Sequence, residues 1–113
     1  MSHRLEFSRV KLSGTAKAGR FLILSTLVDL TLISFRTGFI TTKRSGKAHD
    51  RNLLRRRFRA IVQTHAPEFP NMKRYLVTIA RPGAVKATFV ELEEDWLKQA
   101  KRLGLFTPSS PSL

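Results

Sequence analysis

An α+β fold, a small mixed sheet packed by helices, is predicted from three observations. Phe21 to Val28 and Tyr75 to Ala80 are short apolar runs of strand length, and Ile33 to Thr42 alternates with β-branched and aromatic residues. Two longer segments, one ending near His65 and one near Leu103, repeat apolar residues at helical spacing. Glycine, proline and serine punctuate the joints between them. The 113 residues suit one domain with a modest core, here residues 1–106, followed by a tail over 107–113.

Taken in order, Leu5 to Leu12 sets Leu5, Val10 and Leu12 among charges, which predicts a short helix broken at Ser13-Gly14. Gly19 marks a second turn, and the buried strand Phe21 to Val28 follows, with Asp29 opening a short connection. In Ile33 to Thr42 the residues Phe35, Thr37, Phe39 and Thr41 face one side, and Arg36, Gly38, Ile40 and Thr42 the other. These two strands are expected to be neighbours. A long helix begins between Ser45 and Asp50, both suitable N-caps, and stops before Pro67. Pro67 to Arg74 reads as a loop, and Pro82-Gly83 ends the strand Tyr75 to Ala80. Thr88 and Glu91 stand at capping-box spacing before the final helix. Its apolar face is Phe89, Leu92, Trp96, Ala100 and Leu103, and Gly104 occupies the C-cap glycine position. The tail, with two prolines and three serines, is expected to be disordered. The predicted order is α-β-β-(β)-α-β-α, the bracketed strand being optional.

Charge then points to function. Lys and Arg total 21 against 8 Asp and Glu, a formal net charge of +13. Eight of those 21 cations lie between Lys43 and Arg59, where Asp50 is the only acid. On a helical wheel Leu54, Phe58, Ile61, Val62 and His65 share one arc, and Asn52, Arg55, Arg56, Arg59 and Gln63 the adjoining one. Arg51 borders the apolar arc, and Arg57 lies near its other edge. A solvated helix laced with i,i+4 ion pairs would need acids that are absent here. A ladder of guanidinium groups suits phosphate instead, gripping it bidentately, so structured RNA is the expected partner.

Other chemistries find little support. The chain has no cysteine, hence no disulfide, thiolate metal site or cysteine nucleophile, which fits a reducing cytoplasm. Its longest apolar run, Phe21 to Leu24, is too short to span a bilayer, and no membrane partner is expected. Glu6, Asp29, Asp50 and Glu68 are scattered, and Glu91 to Asp95 is explained by a capped helix start. His3, His49 and His65 lack metal-ligand spacing; His65 is expected to be packed or capping. No residue is assigned a catalytic or metal-binding role. No obligate protein partner is evident.

The run Ser45-Gly46-Lys47-Ala48-His49-Asp50-Arg51-Asn52-Leu53-Leu54-Arg55-Arg56-Arg57-Phe58-Arg59 resembles the signature of the bacterial ribonuclease P protein subunit. In that signature an alanine precedes an Arg-Asn pair and a basic-basic-x-apolar-basic run. Phe7-Ser8-Arg9-Val10 with Gly14, Phe35 to Phe39 followed by Lys43-Arg44, and Tyr75 to Gly83 are similar to that family's other segments, in order. The resemblance covers all but the tail. It implies a left-handed crossover between parallel strands, against the usual hand. It also implies a bacterial cytoplasmic protein that joins a catalytic RNA to remove 5′ leaders from precursor tRNA. The chemistry would rest with the RNA and its Mg²⁺.

By the same resemblance Lys43, Arg44, Lys47, Arg51, Asn52, Arg55, Arg56 and Arg59 are the RNA-contact set. Phe7, Lys11 and Arg36 belong to a leader-binding cleft, with Phe7 either stacking on unpaired bases or serving as core. The chain departs from the family pattern at Leu53, where arginine is frequent, and at Lys11 and Ser25, where aromatics are. Lys11 would then hold phosphate. A structural, ribosomal-type RNA-binding module is the alternative that charge alone supports equally. An autonomous nuclease is a third reading, disfavoured by the scattered carboxylates.

Overall fold

The computed structural model describes residues 4–106, so the expectations for His3 and for the tail lie outside the described residues. The elements are α1 (Arg4–Ser13), β1 (Thr15–Ala18), β2 (Leu22–Val28), β3 (Arg36–Ile40), α2 (Ala48–His65), β4 (Arg74–Ala80) and α3 (Phe89–Arg102). This is the predicted α+β class with three strands before α2, but the extra strand is β1, at 15–18, rather than a strand after 33–42; its four residues are exposed and it pairs antiparallel with β2.

The sheet runs β1-β2-β4-β3, antiparallel except for the parallel pair β3 and β4, which α2 connects. The expectation that the strands over 21–28 and 33–42 are neighbours is therefore corrected: β4 lies between them, because the apolar, two-sided β4 gains most from a central place. The second strand is also shorter than predicted. Asp29 Oδ1 accepts from the Thr31 backbone N–H at 3.0 Å, and this local turn leaves Ile33 almost wholly exposed.

Side-chain alternation sorts the two faces. Leu22 and Leu24 of β2 and Leu76 and Ala80 of β4 meet Leu54, Phe58, Ile61 and Val62 of α2 and Leu92, Trp96 and Ala100 of α3. On the opposite face Val77 and Tyr75 pack with Val10 of α1, and Phe7, Ile40 and Ile79 border them. The predicted alternation holds, with Phe39 of β3 and Phe35 just before it toward α2 and α3 and Ile40 toward α1. The fold is thus three layers: α2 and α3, the sheet, then α1.

α3 follows its local sequence signals closely. Thr88 Oγ1 accepts from the Glu91 N–H at 3.1 Å while Glu91 Oε1 accepts from the Thr88 N–H at 2.9 Å, the predicted capping box. At the other end the Gly104 N–H donates to Lys101 O and the Leu105 N–H to Ala100 O, each at 3.0 Å. Gly104 sits at φ +73°, the left-handed conformation such a cap requires, and Leu105 is buried behind it. One residue of the predicted face is corrected: Phe89 is 36% exposed, since as the first helical residue it precedes the contact with the sheet. Gln99 is buried in its stead.

Candidate nucleic-acid interface

α2 carries the candidate interface. Its N-cap is Lys47, a correction to the expected Ser45 or Asp50. Asp50 instead occupies the third helical position, where its Oδ2 accepts from the Lys47 N–H at 3.1 Å, and Ser45 is buried in the preceding turn of 3-10 helix. Asp50 Oδ1 lies 3.3 Å from His49 Nε2. The single acid of the segment is thus bound to the helix start and to His49, and neutralises none of the arginines in the contact set.

Leu54, Phe58, Ile61 and Val62 anchor the helix on the sheet, as the wheel requires. The adjoining arc then opens to solvent. His49, Asn52, Arg55, Arg56 and Arg59 line a groove of about 440 Å³ along it. Two of these arginines are held by neutral partners. Arg55 donates through Nη1 to Thr41 Oγ1 and through Nη2 to Asn52 Oδ1, the latter at 2.6 Å. The Arg59 guanidinium stands 5.6 Å from the centre of the Phe39 ring. Hydroxyl, amide and ring orient these side chains yet leave their full charge available to an anion. Arg57, at the edge of the apolar arc, instead donates to Ala87 O at 3.2 Å and serves the fold.

Arg51 is half-buried, and its Nε is buried without a hydrogen-bond partner. Lys47 is exposed beside the helix start. Lys43 and Arg44 lie in a short turn of 3-10 helix before α2, where with Thr42, Arg81, Pro82 and Ile23 they border a second groove of about 540 Å³. Arg81 was not predicted as a site residue; its only sequence signal is its place between a strand and Pro82-Gly83.

Ile23 also belongs to a third and larger cavity, about 680 Å³, between α1 and the sheet. Phe7, Val10 and Lys11 form its α1 wall, and Ile23, Ser25, Ile40, Val77 and Ile79 its floor. Two of the three predicted cleft residues, Phe7 and Lys11, therefore come together there. Phe7 is half-buried against the smaller apolar cluster while it lines the cavity. Arg36 does not line it. Its Nε lies 2.9 Å from Glu6 Oε2 and its Nη2 donates to Glu6 Oε1 at 3.1 Å, joining β3 to α1.

The acids of α3 are mostly engaged inside the molecule. Asp95 Oδ2 accepts from the N–H groups of Phe21 and Leu22 at 2.8 and 3.2 Å, rather than merely opposing the helix dipole. Glu93 Oε2 lies 2.8 Å from His65 Nε2, and the His65 ring stacks 6.3 Å from that of Trp96, so this histidine is packed as expected. Among the described residues no group of three or more His, Asp or Glu side chains could hold a metal ion. No helix among them is long and apolar enough to cross a membrane.

Comparison with known proteins adds a family. A family model described as Ribonuclease P matches residues 1–104. A ribonuclease P protein component of Syntrophomonas wolfei subsp. wolfei is 39% identical over 101 residues, 89% of this chain and 83% of that protein. Another, from Thermus scotoductus, is 37% identical over 100 residues, but the chain spans only 56% of its length. Among solved structures, the Staphylococcus aureus RNase P protein matches with a TM-score of 0.86 at 22% identity, covering 95% of this chain and 96% of that one. The Thermotoga maritima RNase P protein gives 0.76 at 22% identity, covering 90% and 96%. At that level of identity the structures speak to the fold alone.

Proposed function

The chain belongs to the ribonuclease P protein component family, and from that membership we propose that it binds a catalytic RNA through α2 and the leader of precursor tRNA through the α1 cleft. The observation that carries this reading is the groove of α2, where Thr41 and Asn52 orient Arg55, the Phe39 ring orients Arg59, and among the described residues no carboxylate pairs with its arginines. A phosphodiester backbone supplies the missing negative charge, and release of its counterions supplies much of the affinity.

The cavity between α1 and the sheet has the properties a single strand needs. It is mostly apolar, it offers the Phe7 ring as a sequence-tolerant surface for a base, and Lys11 stands beside it for phosphate. A precursor carries a leader and a mature tRNA does not, so such contacts favour the substrate over the product. The proposed activity is endonucleolytic removal of the leader by the assembled ribonucleoprotein, in the bacterial cytoplasm. Mg²⁺ belongs in this proposal to the RNA, as the family resemblance implies. What this chain's residues do is bind, orient and neutralise.

Precursor-tRNA cleavage at low Mg²⁺, with a bacterial ribonuclease P RNA and this protein alone and together, tests the proposal. Cleavage at the mature 5′ end in the mixture, well above that of either part, is the expected result. A mixture no faster than RNA alone, despite tight binding, would leave a structural RNA-binding module instead.

A further inference from the structure

A second group of cations converges on the turn between β1 and β2, and Arg81 alone of them also borders the groove of Lys43 and Arg44. Arg81, just after β4, donates through Nη1 to Gly19 O at 2.7 Å. Arg102, in the last turn of α3, donates through Nη1 to Ala18 O at 3.2 Å and to Gln99 Oε1 at 2.7 Å. The Arg20 guanidinium lies 5.0 Å from the centre of the Phe21 ring. Lys17 pairs with Leu24 across the strands and so points to the sheet face that carries α3, the face from which Arg102 arrives.

The turn that gathers them is fixed in place. The Gly19 N–H donates to Leu22 O at 2.7 Å, and Arg81 N–H to Phe21 O at 2.9 Å. α3 approaches so closely that a Cβ at position 19 would come within 2.1 Å of Asp95 Oδ1. Among the described residues, Asp95 is the carboxylate in contact with the turn. Its oxygens already accept from Phe21 N–H, Leu22 N–H and, at 3.0 Å, Gln99 Nε2. Arg81 and Arg102 are thus steered by backbone carbonyls, which orient a guanidinium without cancelling its charge. All four cationic residues are exposed.

We propose that Lys17, Arg20, Arg81 and Arg102 form a second phosphate-binding surface for RNA, centred on the β1–β2 turn and separate from the groove of α2. It rests on the proposed RNA-binding role and extends it. The ligand chemistry is a phosphodiester backbone, which either the catalytic RNA or the precursor tRNA could present.

The test is the salt dependence of binding by the full chain carrying Arg20→Gln and Arg102→Gln together, against catalytic RNA, and against precursor and mature tRNA on the assembled complex. Loss of two phosphate contacts shrinks the ratio of affinities between 50 and 200 mM salt by about tenfold. Loss in the first arm assigns the surface to the catalytic RNA; loss confined to the tRNA arms assigns it to the substrate. The Arg20→Lys, Arg102→Lys pair retains the charge and is expected to restore most of the slope, which a merely structural role would not do. Unchanged slopes in every arm, with the variant folded by circular dichroism, would overturn the proposal. An Arg55→Ala, Arg59→Ala control in the same assay separates the two ideas. If it loses affinity while the turn variant does not, only the second surface fails; if neither loses any, the RNA-binding role of α2 fails as well.

Discussion

α2 and α3 pack side by side on one face of the sheet and each buries an aromatic at its centre, Phe58 and Trp96. They spend their polar residues in opposite ways. In α3 the cap, Thr88 with Glu91, the Glu93 bond to His65, the Asp95 bonds to the Phe21 and Leu22 amides and the Trp96 bond to Thr78 all close on the protein itself. In α2 two arginines of the groove, Arg55 and Arg59, are held by a hydroxyl, an amide and a ring, and their charge stays unanswered. Folding alone explains α3. It does not explain α2, where clustered like charge costs stability unless a polyanion offsets it.

Substitutions sharpen that contrast, and the largest effect belongs to α3. Trp96 is fully buried, stacks 5.9 Å from Phe69 and donates through Nε1 to Thr78 Oγ1 at 3.2 Å. Trp96→Ala is expected to lose about 3–5 kcal/mol by urea denaturation, enough to unfold much of a marginal domain. A loss below about 1 kcal/mol would mean the core does not depend on this residue. Next comes Asp95→Ala, which strands the Phe21 and Leu22 amides at the start of β2; about 1–3 kcal/mol is expected from the same measurement. Equal stability of this variant and the wild type would break the claim that α3's acids serve the fold. Smallest in stability is Arg55→Ala with Arg59→Ala, expected to stay within about 1 kcal/mol of the parent because the lost contacts are to neutral partners at the surface or half-buried beneath it. A large destabilisation would make α2 as structural as α3 and erase the comparison.

What the sequence reveals follows the range of the interactions involved. The capping box at Thr88 and the glycine at 104 are local signals, and both were legible because they involve neighbours within a turn or two. The apolar arc of α2 was legible for the same reason: periodicity alone selects Leu54, Phe58, Ile61 and Val62. Long-range pairing left no such trace. β1 is four exposed residues, Thr-Ala-Lys-Ala, and is a strand only because β2 lies beside it. The insertion of β4 between β2 and β3 depends on partners some fifty residues apart, for which periodicity carries no signal. Nor could Arg36 be seen to pair with Glu6, thirty residues away, or Asp95 with the Phe21 amide. The candidate interface was legible as a set of residues; the hydroxyl of Thr41 and the ring of Phe39 that orient it were not.

The most direct probe of α2 is the affinity of the folded Arg55→Ala, Arg59→Ala variant for catalytic RNA, measured against salt concentration beside the wild type. If these arginines face phosphate, affinity falls and the slope of log affinity against log salt drops by about 1.8, about 0.9 for each contact removed. A slope equal to that of the wild type would place the RNA elsewhere on the molecule and leave the charge of α2 without a purpose.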